Sequence, residues 1–264
     1  MTRTKRRTGR RHPFVFFGLL LLGLILTGGA YAAVSDDARA RASVDANSQH
    51  TIDEGKKLFQ ANCATCHGLQ AQGSGTAPSL IGVGAASVDF QVGTGRMPMA
   101  ANGPQAPEKP PQFTDEQIAE LAAYVASLAP GPVIPDASLT SGGGDAAKGA
   151  ELFRINCAMC HNVAGAGGAL TEGKYAPSLE STSGTHIYEA MVTGPQNMPV
   201  FNDLTISPES KRDIITYLKY TQENSSPGGY ALASLGPVAE GLFIWIFGLG
   251  VIIAVTVWIT AKSN

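Results

Sequence analysis

The sequence has little charge, few cysteines and few histidines. Only 15% of its 264 residues are charged, and it contains four Cys and five His. With 31 Gly, 16 Pro and long uncharged runs at both ends, it lacks the composition of one large, well-filled globule. The middle must instead form one or more small units, which generally need a staple such as a metal or cofactor. Basic residues are scarcest in that middle. Of the 19 Lys and Arg, six lie between Arg3 and Arg11 and one is Lys262, leaving twelve against all 21 acidic residues, a balance of −9 over residues 35–261. The basic tip before an apolar run could be a nucleic-acid arm, but nothing else in the chain resembles a binding module. The basic tip at 1–13 sits beside a membrane-length segment, where the positive-inside rule accounts for it.

Two segments carry no charge: Phe14–Val34, which begins Phe-Val-Phe-Phe-Gly-Leu-Leu-Leu-Leu, and Gly241–Ala261. Each reaches the ~20 residues that cross a bilayer core as a helix. Trp245 and Trp258, near the two ends of the second, suit membrane interfaces, and a transmembrane helix is expected over 237–261. The first is expected as a retained transmembrane helix over 14–34. A signal segment cleaved after Ala30-Tyr31-Ala32 is the alternative. In both cases the Arg-rich tip stays in the cytoplasm, residues 35–236 lie outside it, and the second helix brings Lys262 back.

Between the two segments the chain repeats itself. Gly55-Lys-Lys-Leu-Phe59-Gln-Ala-Asn-Cys63-Ala-Thr-Cys66-His67 returns as Gly149-Ala-Glu-Leu-Phe153-Arg-Ile-Asn-Cys157-Ala-Met-Cys160-His161. Ala77-Pro78-Ser79-Leu80 returns as Ala176-Pro177-Ser178-Leu179, after a loop that has gained five residues. Gly95-Arg-Met97-Pro98 answers Gln196-Asn-Met198-Pro199, and Leu121-Ala-Ala-Tyr124 answers Ile214-Ile-Thr-Tyr217. Each unit is expected as a helix, the cysteine motif, a long irregular stretch, a methionine and a closing helix. Thr114-Asp-Glu-Gln117 has capping-box spacing, and Ser207-Pro208 offers an N-cap followed by proline. Ile118, Leu121, Val125 and Leu128 then give the first closing helix an apolar face. The units are placed at 50–129 and 146–222, with linkers at 130–145 and 223–236.

Cys-x-x-Cys-His is the attachment signature of c-type haem. On a helix, positions i, i+3 and i+4 share a face, so two thiols can bond the haem's vinyl-derived carbons while the imidazole reaches its iron. Cys63, Cys66 and His67 form one such set, and Cys157, Cys160 and His161 the other. A four-cysteine zinc site would use knuckles much closer in sequence and would leave the paired histidines without a role. A redox dithiol needs no histidine after its second cysteine. A disulfide closing a two-residue loop constrains the chain very little. Two covalently bound haem c groups would consume all four cysteines.

An electron-carrying haem generally has two protein ligands on its iron, and Met opposite His raises its potential. The repeat nominates Met97 and Met198, each directly before proline, with Met99 as the rival in the first unit. Core filling is the alternative role for a lone methionine. His12, His50 and His186 have no partners across the repeat. His186 is a possible second-haem ligand, but is expected as an exposed loop residue. Phe59, Phe153, Pro78, Pro177, Leu80, Leu179, Tyr124 and Tyr217 are paired across the repeat, and are expected to pack near the macrocycles.

Each unit resembles a class I cytochrome c domain, with its histidine in Cys-x-x-Cys-His and a methionine before proline downstream. The whole arrangement resembles the di-haem cytochrome c subunit of the actinobacterial cytochrome bcc complex: a basic N-terminus, tandem haem units, and a C-terminal membrane helix after Tyr220-Thr-Gln-Glu-Asn-Ser-Ser-Pro-Gly-Gly-Tyr230. The resemblance implies a mainly α fold of two tandem cytochrome c domains with N- and C-terminal transmembrane helices in the plasma membrane. It also implies a role within a menaquinol–cytochrome c reductase, the chain itself carrying electrons without a substrate site. Its partners would be a cytochrome b subunit, a Rieske iron–sulfur subunit and an aa3-type oxidase. Di-haem subunits of a cbb3-type oxidase or of a membrane alcohol dehydrogenase, and a di-haem peroxidase, are the competing readings. A peroxidase needs an open iron position, which permanent Met97 and Met198 ligands deny it.

Overall fold

The repeat folds twice into the same helical frame. The structure is a computed structural model that describes residues 17–29, 48–101, 103–224 and 241–262. In the first domain, helix α2 (Gln49–Asn62) starts at Ser48, whose hydroxyl accepts from Thr51 N–H. It buries Thr51, Gly55 and Phe59, one residue per turn. A single turn, α3 (Ala64–His67), carries the cysteine motif. Helix α4 (Gly84–Gly93) follows, and α5 (Asp115–Leu128) closes the domain. The expected capping box is present: Gln117 N–H donates to Thr114 Oγ1 (3.3 Å) and Thr114 N–H to Gln117 Oε1 (3.0 Å).

The second domain repeats the plan with α7 (Ala146–Asn156), the turn α8 (Ala158–His161), α9 (Gly184–Thr193) and α10 (Pro208–Glu223). Ser207 caps α10 with proline in its first turn, as expected. The stretch expected to be irregular between motif and methionine thus holds a ten-residue helix in each copy. The loop that holds the five extra residues forms a small antiparallel hairpin, β1 (Gly168–Ala169) with β2 (Tyr175–Ala176).

Glycine sets the spacing of both helix pairs. A side-chain carbon at Gly55 would collide with the Glu120 carbonyl on α5, and one at Gly149 with the Asp213 carbonyl on α10. The closeness brings Phe59 onto Tyr124 (centroids 5.3 Å) and Phe153 onto Tyr217 (5.6 Å) at nearly equal tilts. Around each pair lies a separate core, Val88, Ile118, Leu121 and Val125 in one, Ile187, Ile214, Ile215 and Leu218 in the other.

Residues 130–145 lie against both domains. Ala86 N–H donates to Pro132 O (3.1 Å), and α6 (Ala137–Thr140) leads to Ser141, whose carbonyl accepts from Lys219 Nζ (2.9 Å). The domains touch directly where α4 meets α9, with Phe90 edge-on to His186 at 6.1 Å. Of the two expected membrane spans, one is long and apolar enough among the described residues: α11 (Gly241–Lys262), with no residue buried and Lys262 Nζ 4.7 Å from the Trp258 ring centre. Helix α1 (Phe17–Gly29) is apolar but shorter, and the rest of 14–34 lies outside the described residues. So do the basic tip at 1–13, the Ala30-Tyr31-Ala32 cleavage site, His12 and linker residues 225–236.

Candidate haem sites

Both cysteine motifs begin where a helix ends. Cys63 caps α2 through N–H to Phe59 O, and Cys157 caps α7 through N–H to Phe153 O, each 2.8 Å. The chain then turns once more. His67 N–H returns to Cys63 O (3.0 Å) and His161 N–H to Cys157 O (2.9 Å), so each pair of thiols and its imidazole occupy one helical turn. None of the four cysteines is joined in a disulfide. Burial, reinforced by the neighbouring cysteine, pushes the Cys63 and Cys157 thiols up to about 11.

The histidines are oriented from behind by backbone. His67 Nδ1 stands 2.8 Å from Pro78 O, and His161 Nδ1 stands 3.0 Å from Pro177 O. A carbonyl only accepts, so Nδ1 carries the proton and Nε2 keeps its lone pair, the tautomer an iron ligand needs. His67 is half-buried, while His161 is 9% exposed. Burial lowers the pKa of His161 against the opposing Pro177 hydrogen bond, which keeps the ring neutral and able to ligate.

In the second domain these groups line a cleft of about 300 Å³. Cys157, Cys160 and His161 stand on its wall with Met198, among Phe153, Leu179, Met191, Phe201, Ile214 and Leu218. In the first domain, Cys63, Leu80 and Met97 pack on the corresponding core. Met99 is partly buried but is not among the residues packed there. Two thiols, an imidazole with a free lone pair, a thioether and an apolar wall are a donor set that fits a c-type haem.

Known proteins share the two-domain plan. A family model for cytochrome c matches residues 52–129, and one for cytochrome c oxidase, cbb3-type, subunit III matches residues 144–218. The cytochrome bc1 complex cytochrome c subunit of Corynebacterium efficiens is 44% identical over 277 residues, spanning 99% of this chain and 93% of that protein. The protein of the same name from Mycobacterium tuberculosis (strain ATCC 25618 / H37Rv) is 45% identical over 268 residues, spanning 99% and 95%. That of Corynebacterium diphtheriae is 42% identical over 282 residues, spanning 100% of both. The chain belongs to this family of cytochrome bc1 complex cytochrome c subunits. Like its cytochrome c domains, its haems come in tandem: two covalently bound haem c groups, one per domain.

Within this cytochrome c subunit, sequence reasoning missed two features. The backbone carbonyls of Pro78 and Pro177 hold the histidines, whereas those prolines were expected only to pack; the repeated Ala-Pro-Ser-Leu was the signal available. His186 is no exposed loop residue. It lies on α9, 24% exposed, with Nε2 3.9 Å from Asp89 Oδ2, because α9 packs on α4 of the other domain. His50, on α2, is exposed and stands 4.0 Å from Glu54.

Proposed function

We propose that this chain is the electron-relay subunit of a menaquinol–cytochrome c reductase, passing electrons from a Rieske centre through two c-type haems to an aa3-type oxidase. The observation that carries the relay is the duplicated turn: in both domains a Cys-x-x-Cys-His motif ends on a histidine whose Nδ1–H is bound by a proline carbonyl. The membership in a complex rests on full-length relatives named as bc1 complex subunits. The cbb3-type model matches only residues 144–218, which supports a shared haem domain and not a shared complex.

Haem c, when bound, supplies one-electron redox chemistry. The chain's residues set its conditions. Cys63 and Cys66, and Cys157 and Cys160, hold the macrocycles covalently. His67 and His161 would hold the irons through Nε2, and Met97 and Met198 would supply thioether sulfurs as their second protein ligands. Packing of Met97 beside Cys63 on the first core supports it over Met99. Met198 on the cleft wall with His161 supports the second pair. Soft, uncharged thioethers favour the reduced iron and keep substrates off it. Phe153, Leu179 and Leu218 exclude water from the second site.

Helix α11 anchors the chain in the plasma membrane, the 14–34 segment crosses it a second time, and both haem domains stand on the extracytoplasmic side. With twelve Lys and Arg against 21 acidic residues over 35–261, the body is acidic, which suits a carrier whose tether replaces electrostatic steering. Purification in mild detergent, with partner identification and a reduced-minus-oxidised spectrum, tests the reading. A cytochrome b, a Rieske protein and an aa3-type oxidase are expected beside two c-type haems. Recovery with a cbb3-type oxidase or a dehydrogenase alone would overturn the assignment.

A further inference from the structure

Asp89 on α4 meets His186 and Glu189 on α9 at the junction of the two haem domains. One ligand-capable atom from each lies within 4.8 Å of the others. Asp89 and Glu189 are the sixth residues of two ten-residue helices, so the duplication has set one carboxyl against its counterpart across the interface. Glu189 is 0% exposed, and among the described residues its carboxyl oxygens have no hydrogen-bond partner other than the facing Asp89 carboxyl. A buried carboxylate in that state is strongly disfavoured unless it is protonated or answered by a cation. Burial first, and then the facing Asp89, push the Glu189 carboxyl up to about 10. Arg96, whose charge acts on His186, is paired with Glu108 (3.4 Å). Burial also keeps His186 below its ordinary pKa, against the pull of Asp89, so its ring is neutral with a lone pair to give.

We propose that Asp89, His186 and Glu189 bind one divalent transition-metal ion, Zn²⁺ foremost, which clamps the two haem domains together. Two carboxylates balance its charge, and the imidazole selects it over Ca²⁺, which takes six to eight oxygens. Zinc sits ~2.0–2.2 Å from N and O ligands, so the three atoms need to draw together by roughly an ångström. A cavity of about 310 Å³, lined by Asp89 and His186 and by Asp115, Ile118 and Ser183, provides an entry path and room for a water as fourth ligand. Asp115 adds a further negative charge to that path. Binding displaces the proton of Glu189 into solvent, leaving a neutral site of one cation and two carboxylates.

The test uses the full-length chain with both haems in place, stripped with a chelator and dialysed against Zn²⁺. Metal is then counted against haem by mass spectrometry. One zinc per chain is expected, with zinc-edge X-ray absorption reporting only nitrogen and oxygen neighbours, including one imidazole. Asp89→Asn and Glu189→Gln should each weaken binding by more than the roughly 10–100-fold that loss of an outer-shell partner costs. Both variants should keep two haems per chain by pyridine haemochrome, which separates a lost site from a lost fold. Zinc should also raise the melting temperature of the wild-type chain and leave both variants unmoved. Absence of zinc from the wild type, as a permanently protonated Glu189 would give, overturns the site. So does calcium bound in preference to zinc, a sulfur-containing shell, or equal zinc retention by the two variants.

Discussion

The two haem domains share a frame but differ in how their sites are enclosed. In the first, His67 is half-buried and a tight turn from Ser74 to Ala77 leads to the proline that holds it. In the second, His161 is buried and the longer loop forms the β1–β2 hairpin. The second cleft is also walled by residues of the first domain: Phe90, Thr94, Arg96, Gln105 and Glu108. Duplication has preserved what attaches and orients the haem, the helix end, the single turn and the proline carbonyl. Divergence has gone into the surfaces where one copy leans on the other. The difference teaches that the attachment unit is self-contained while the environment of the second site is shared, which brings the first domain to the edge of the second haem cleft.

The largest expected effect removes one attachment unit. Cys63→Ala with Cys66→Ala, and Cys157→Ala with Cys160→Ala, should each cost one of the two haems and halve the pyridine haemochrome signal per chain. If either pair costs both haems, the attachment units are not independent. Exchanging one axial ligand is milder. Met97→His or Met198→His should lower the potential of its own haem by a sizeable fraction of the roughly 0.8 V that axial ligands span, and leave the other unchanged. Potentiometric titration reads both at once. An unmoved potential in the Met97 variant would pass the ligand role to Met99.

The shared frame is tested at its closest contacts. Gly55→Ala and Gly149→Ala each place a methyl on a facing carbonyl, and overpacking of this kind costs about 1–3 kcal/mol. The two losses should be alike in calorimetry if both helix pairs use the same crossing. A smaller effect separates the copies. By the repeat, Lys211 of α10 stands where the first domain has Ile118, and both are buried. Lys211 Nζ donates to Asp203 Oδ1 at 2.6 Å and to Ile206 O at 2.7 Å. Replacing buried ionic groups by apolar ones of similar size is often neutral or stabilising by about 1–4 kcal/mol. Lys211→Met is therefore expected to hold or raise the melting temperature, near the low end because Asp203 is largely exposed. A large drop would show that the second domain depends on a polar core the first has no need of.

What could be read in the chain was what occurs twice or follows a local rule. Thr114 with Gln117, and Ser207 before Pro208, announced their helices because capping is a matter of spacing within four residues. The motifs and both methionines stood out by repetition. Helices α4 and α9 did not: Val83 gives α4 no side-chain cap, and the Ser183 that caps α9 is followed by glycine, a poor helix former. The proline carbonyls were hidden for another reason: a backbone acceptor has no identity in a sequence. The Asp89–His186–Glu189 cluster was hidden most deeply. It exists only between copies, and a comparison of one copy with the other is blind to contacts across them.

The smallest effect probes that contact alone. Gln105 of the first domain grips the backbone of Tyr175 in the hairpin, accepting from its N–H at 2.8 Å and donating to its carbonyl at 2.9 Å. One side chain thereby satisfies both backbone groups of a residue at the end of β2, as a neighbouring strand would. Each such bond contributes about 0.5–1.5 kcal/mol, and less where water competes, so Gln105→Ala should cost on the order of 1 kcal/mol. Hydrogen exchange at the Tyr175 amide should quicken while the α2–α5 and α7–α10 pairs keep their protection and the haem count stays at two. Protection lost throughout the second domain would mean that the hairpin is held in place by the first domain and that the second copy is not complete on its own. Protection lost at Tyr175 alone makes the five added residues a docking device, acquired by one copy and used on the other.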